Sequence, residues 1–248
     1  MLIGYLPFLV AIVSMSISAA TAGEVVVAVA ANFTEPAKEI AALFKAHTGH
    51  RVAFSFGATG QLYTQITQEA PFDVLLSADR ERPAKVVEQG YGVPDSVFTY
   101  AVGKLVLWTR EPGLEAGEAT LRAGRFNHLA VANPRLAPYG AAAAQVLNRL
   151  GLAEALAAKL VEGANIAQTF QFVDTGNAEF GFVAWSQVIT RMEGSHWLIP
   201  DRLYDPIRQD AVLLTKGADN PAARTFLEFL RGPEAKAVIL KSGYDLNW

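Results

Sequence analysis

Residues 98–109 read FTYAVGKLVLWT, a β-type run longer than a usual strand with a glycine, Gly103, inside it. Such a stretch predicts a crossing of the chain from one lobe to another. On its N-terminal side short apolar runs alternate with helical patterns, the mark of an α/β protein with mostly parallel sheets. Glu24–Ala30 (EVVVAVA), Arg51–Phe56 and Asp73–Ser77 (DVLLS) are the predicted strands, the last buried on both faces by its continuous apolar character. Between them Phe33, Ala37, Ile40, Ala41 and Phe44 fall on one helical face that ends at Gly49. Leu62, Ile66 and Ala70 form another, after the loop Gly57-Ala58-Thr59-Gly60.

On the C-terminal side the pattern predicts a strand at Leu129–Ala132, helices at Gly140–Leu150 and Ala153–Leu160, a helix after Ile166 and a strand at Phe180–Trp185 (FGFVAW). Between Tyr204 and Thr215 the chain returns through AVLLT to two helices broken at Gly232-Pro233. Two crossings make the first lobe discontinuous: residues 23–102 with 209–248, against 103–208 for the second lobe. The expectation is a hinged, two-lobed α/β protein, each lobe a mostly parallel sheet flanked by helices, with a ligand in the cleft between them.

Composition narrows the function. Across 248 residues there are 21 Lys+Arg, 24 Asp+Glu, 4 His and no Cys. That excludes a disulfide scaffold, a cysteine-ligated metal centre and a thiol nucleophile. A net charge of −3 without a long basic block argues against nucleic acid as the partner. Residues 1–22 lack any charged side chain, and an apolar run from Leu2 to Val13 leads to Ala20-Thr21-Ala22. This reads as a secretory signal cleaved after Ala22, although only the terminal amine supplies its positive charge. A membrane anchor fits less well, because Pro7 and the Ser-rich tail interrupt the run. The expected location is the bacterial periplasm.

Dinucleotide, phosphate-loop, zinc-protease and nucleophile-elbow motifs are absent. His47 and His50 are spaced HxxH across a helix end, without an acidic third ligand, and read as surface histidines. His128 and His196 stand alone. The informative feature is the set of strand-to-helix junctions, at Asn32, Thr59, Tyr139 and Ile166. A helix N-terminus exposes unpaired N–H groups and partial positive charge. Four of them aimed into one cleft make an anion site without a basic side chain. Asn32 and Thr59 add polar side chains, and Tyr139 a hydroxyl or its backbone N–H. Each residue also has a structural reading: Asn32 with Glu35 as a capping box, Thr59 as a helix cap, Pro138-Tyr139-Gly140 as a turn, Ile166 as core.

The segments Val29-Ala30-Ala31-Asn32-Phe33-Thr34, Ser55-Phe56-Gly57-Ala58-Thr59-Gly60-Gln61-Leu62 and Asp73-Val74-Leu75-Leu76-Ser77-Ala78-Asp79 closely resemble the periplasmic molybdate-binding protein family. So do Ala132-Asn133-Pro134 with Pro138-Tyr139-Gly140, and Leu230-Arg231-Gly232-Pro233-Glu234-Ala235. The ordered set spans essentially the whole chain after the signal. The resemblance implies a type II solute-binding fold and a monomeric receptor that delivers molybdate or tungstate to the membrane permease of an ABC importer. It implies no enzyme activity and no cofactor, the metal arriving only as the oxyanion. The ligand positions it carries over are Asn32, Thr59, Tyr139 and Ile166, with Ala31 adding a further N–H. A tyrosine that completes the site in some members falls at Ala184, and the resemblance implies that Tyr139 substitutes for it.

A tetrahedral dianion only accepts hydrogen bonds, so a cage of pure donors matches it, whereas protonated phosphate also wants an acceptor. Selection against sulfate would come from cavity size. Three other readings remain at this point: the same fold binding sulfate or another oxyanion, a periplasmic hydrolase whose Ser or His escapes recognition, and an interaction module that binds no small anion.

Overall fold

The computed structural model describes residues 22–246. The proposed signal segment, apart from Ala22, lies outside them. Two sheets of five strands organise the chain. Four strands of the first come early: β1 (Glu24–Ala30), β2 (Arg51–Gly57), β3 (Val74–Leu76) and β4 (Phe98–Gly103). The second sheet holds β5 (Leu105–Thr109), β6 (Leu129–Ala132), β7 (Leu160–Gly163), β8 (Phe180–Ala184) and β9 (Ser195–Leu198). The chain then returns to the first sheet as β10 (Ile207–Leu213). The orders are β2-β1-β3-β10-β4 and β7-β6-β8-β5-β9. In each sheet one strand runs against the other four, β10 in the first and β5 in the second.

The long run at 98–109 is two strands, one in each sheet, separated by the single residue Lys104. The Lys104 carbonyl accepts from the Trp185 amide, and its ammonium pairs with Asp245 at 2.8 Å. The return crossing lies beside it, with Ile207 opposite Gly103.

Helices cover both sheets: α1 (Thr34–Thr48), α2 (Thr59–Thr67) and α3 (Glu81–Glu88) in the first lobe, then α4 (Glu118–Ala123), α5 (Pro138–Arg149), α6 (Ala153–Leu156), α7 (Ile166–Asp174) and α8 (Trp185–Val188) around the second. The C-terminal helices α9 (Pro221–Leu230) and α10 (Pro233–Lys241) return to the first, separated at Gly232 as expected. Strand alternation explains the layering. Val25, Val27 and Val29 face Ile40, Phe44 and Phe226 on one side of the first sheet, while Ala28, beside Leu75 and Val212 of the neighbouring strands, faces Leu62 on the other. None of the helices among the described residues is long and apolar enough to cross a membrane.

Three expectations need correction. The predicted helix at Ala153–Leu160 ends at Leu156, a 3-10 turn follows, and Leu160 opens β7 instead. The parallel ladder to β6 claims Leu160 and Val161, and neither glycine nor proline marks the change. The return strand starts four residues ahead of AVLLT, because Ile207 and the polar Arg208, Gln209 and Asp210 pair with β4. The edge strand β9, only half buried, left no apolar run to read.

Candidate functional site

Helix starts from both lobes meet at one small cavity of about 10 Å³. Asn32, Thr59, Tyr139 and Ile166 all line it, together with Ala31. Pockets for drug-sized organic ligands run about 300–1,000 Å³, so this space is far too small for one. None of the lining residues carries a formal charge. The walls are closed by contacts between lobes. Gly60 N–H donates to the Leu136 carbonyl at 2.8 Å, and Arg82 Nη2 to the Arg135 carbonyl at 2.9 Å. Side chains are excluded where the lobes approach: a Cβ on Gly60 would stand 3.1 Å from the Leu136 Cα.

The donors follow from how each helix begins. In α7, Asn165 caps the end, its Oδ1 accepting from the Ala167 and Gln168 amides at 2.9 and 3.0 Å. The Ile166 amide, at the first helical position, is left over. In α5, Pro138 has no N–H, and Gly140 and Ala141 donate to the Ala137 carbonyl. Tyr139 N–H is left over in turn. In α2, Gly60 donates across the cleft and Leu62 to Ala58, which leaves Thr59 N–H. Before α1 a 3-10 turn, Ala31–Phe33, presents the Asn32 amide. No side chain and no loop or turn carbonyl accepts from the amides of Asn32, Thr59, Tyr139 or Ile166 among the described residues. All four residues are buried, and a buried backbone N–H without a partner is rare in folded proteins. Four around one small cavity form a cage of donors, reinforced by the positive ends of the helices.

The structural readings of Asn32, Thr59 and Tyr139 give way, whereas the Ile166 side chain does pack in the hydrophobic core. The N-cap of α2 is Ala58, so Thr59 is already helical, and its hydroxyl accepts from Ala78 N–H at 3.1 Å. That bond occupies a lone pair of Oγ1 and leaves the O–H free to donate. Asn32 forms no capping box, since Glu35 pairs with Lys38. Its Nδ2 is turned away from the cavity, donating to Gln209 Oε1 at 2.9 Å and to the Tyr244 hydroxyl at 3.0 Å. The Tyr139 hydroxyl accepts from Gln209 Nε2 at 3.2 Å, so its amide is the group that remains for the cavity. Ala184 does not line the cavity. Its amide donates to Gln187 at the start of α8.

Behind the cage lies a buried polar network that sequence reasoning missed. Gln209 also accepts from the Tyr100 hydroxyl at 3.0 Å. Ser186, from the second lobe, donates to the Asn32 carbonyl at 3.0 Å and meets the Tyr244 hydroxyl at 3.0 Å. No histidine is among the hydrogen-bond partners of Ser186. His50 Nδ1 accepts from Gly23 N–H, and no metal-binding cluster of His, Asp and Glu occurs among the described residues.

Burial pushes the hydroxyl pKa of Tyr100 and Tyr139 well up, and that of Tyr244 up to about 12. All three stay neutral and hydrogen-bonding at physiological pH. In the unfolded chain they ionise near 10. Above that pH the native state holds more protons than the unfolded state, so stability falls as pH rises. The loss approaches about 1.4 kcal/mol per pH unit for each tyrosine; for Tyr244 it levels off once pH passes its native value. Denaturant titrations between pH 8 and 11.5 are expected to show flat stability to about pH 10 and a steep fall beyond. A flat profile throughout would contradict the neutral network.

The profile of the bacterial extracellular solute-binding protein family matches residues 25–245. The molybdate-binding protein ModA of Rhodobacter capsulatus is 57% identical over 225 residues, covering 91% of this chain and 89% of the relative. That of Azotobacter vinelandii is 57% identical over 233 residues, 92% of each. The solved structure of the Azotobacter vinelandii periplasmic molybdate-binding protein superposes with a TM-score of 0.88 at 40% identity, covering 90% of this chain and all of that one.

Proposed function

The chain belongs to the family of bacterial extracellular solute-binding proteins, and on that premise we propose that it captures molybdate in the periplasm and delivers it to an ABC importer. One observation carries the reading: buried amides at Asn32, Thr59, Tyr139 and Ile166, served by no side-chain or loop acceptor, surround a small charge-free cavity. Both curated relatives at 57% identity are molybdate-binding proteins. Tungstate, of the same charge and shape, fits the same cage.

Four main-chain donors and the Thr59 hydroxyl address the oxygens of a tetrahedral dianion. Hydrogen bonds to a charged acceptor contribute about 1.5–3 kcal/mol each. Several, preorganised and dry, reach the roughly −12 kcal/mol of nanomolar binding. The protein acts by binding, not catalysis. Its two lobes, residues 23–102 with 209–248 and 103–208, close over the ion about the paired crossings at Gly103 and Ile207. The closed surface is what the membrane permease reads, and a single chain suffices. The N-terminal signal directs secretion and is cleaved after Ala22.

Removing the Thr59 hydroxyl (Thr59→Ala) or truncating Asn32 (Asn32→Ala) is expected to weaken molybdate binding by about 1 kcal/mol or more, roughly five-fold. Thr59→Ser, which keeps the donor, stays near wild type. Unchanged molybdate affinity in both alanine variants would overturn the site assignment.

A further inference from the structure

Asn32 presents the wrong end of its amide to an anion. Both hydrogens of Nδ2 are committed, to Gln209 and Tyr244. Oδ1 takes no hydrogen bond, yet no fully buried side-chain oxygen or nitrogen among the described residues lacks a partner. Oδ1 therefore faces the open space that Asn32 lines, the cavity. An acceptor there would repel an oxyanion that carries no proton.

The same side chains support a second complete network. Turn the Asn32 carboxamide by 180°, and Oδ1 sits where it can accept from Tyr244, while Nδ2 is released toward the cavity. This works only if Gln209 turns as well; otherwise Asn32 Oδ1 and Gln209 Oε1 face each other, two acceptors at hydrogen-bond distance. With both turned, Gln209 Nε2 donates to Asn32 and to Tyr100, whose own proton goes to the Ser77 carbonyl at 3.0 Å. Gln209 Oε1 then accepts from the Tyr139 hydroxyl. Tyr244 then gives up its 2.8 Å bond to the Asn32 carbonyl, which Ser186 still serves; every other bond of the first arrangement has a counterpart in the second, and a bound dianion, meeting a donor in place of an acceptor, selects the second.

We propose that Gln209 is a positioning residue whose buried carboxamide turns together with that of Asn32, so that the bound oxyanion meets an N–H donor instead of an oxygen. Gln209 is fully buried on β10, at the register shift between Gln209 and Asp210, and bridges Asn32 of the first lobe to Tyr139 of the second. Lobe contact and donor presentation are thereby one event. The inference deepens the molybdate reading and rests on it.

The test uses the whole protein, labelled with nitrogen-15, and sodium molybdate. The side-chain NH2 signals of Asn32 and Gln209 are expected to move together on titration, with one apparent affinity. A Gln209 signal that stays put while the Asn32 signal moves, or both unmoved while molybdate binds, would overturn the coupling. Gln209→Met keeps length and removes both functions: molybdate binding is expected to weaken about ten-fold or more, and Asn32→Ala to cost little further in that background. A merely structural role would lower the melting temperature and leave the molybdate Kd within about two-fold, with the two substitutions additive. If the Met variant fails to fold, the wild-type spectra still decide. Failure of the wild-type protein to bind molybdate would count against the functional reading, whereas binding with an unmoved Gln209 counts against this inference alone.

Discussion

Asn32→Asp is expected to reduce molybdate affinity by at least about a hundred-fold while leaving the fold intact. Aspartate has the shape of asparagine, and its oxygens can accept from Tyr244 and from Gln209 Nε2. The second oxygen, however, faces the cavity. Two unit charges 4 Å apart at an effective dielectric of 20 repel by about 4 kcal/mol, and a dianion doubles that. Part of the repulsion is relieved by protonation of the carboxyl, which is why the expectation is set below the full Coulomb figure. Calorimetric titration beside a melting curve reads both quantities. An aspartate variant that binds molybdate within two-fold of wild type would remove Asn32 from the cavity wall.

Gly103→Ala should act almost as strongly without touching the ion. A Cβ at Gly103 would lie 2.1 Å from the Tyr139 hydroxyl and 2.6 Å from Gln209 Nε2. Tyr139 is itself 1% exposed, so its ring has nowhere to retreat except by displacing the start of α5 or parting the lobes. Overpacking of this kind costs about 1–3 kcal/mol, and here it falls on the contact that holds the cage together. The expected result is a lower melting temperature and molybdate binding weakened about ten-fold or more. Adding Tyr139→Phe removes the closest atom and should restore part of the stability. Wild-type binding and melting in Gly103→Ala would show that Gly103 and Tyr139 need not meet.

These two residues illustrate what the sequence could disclose. Gly103 was visible as a break inside an over-long β run, and the run resolves into one strand for each sheet with Lys104 between them. Asn32, Thr59, Tyr139 and Ile166 were legible as helix starts because strand-to-helix junctions leave a pattern of apolar runs ended by small or polar residues. Even Ile166, which as a lone apolar residue reads as core, also lines the cavity at the start of its helix. Gln209 left no such trace. It lies in a strand half hidden by Arg208 and Asp210, and its importance comes from partners at positions 32, 100 and 139 that only the fold brings together. Tyr244 and Ser186 were silent for the same reason. The short strand β7 was masked by a helical pattern running straight into it, since its pairing with β6 outweighs local preference.

The central claim is that a cage of main-chain donors, uncharged in itself, selects a large tetrahedral dianion. Calorimetric titration of the purified, exhaustively dialysed protein with molybdate, tungstate, sulfate and phosphate tests it most directly. The account predicts tight one-to-one binding of molybdate and tungstate, with sulfate and phosphate silent at the same concentrations. Sulfate or phosphate binding as tightly as molybdate, or silence from all four, would contradict it.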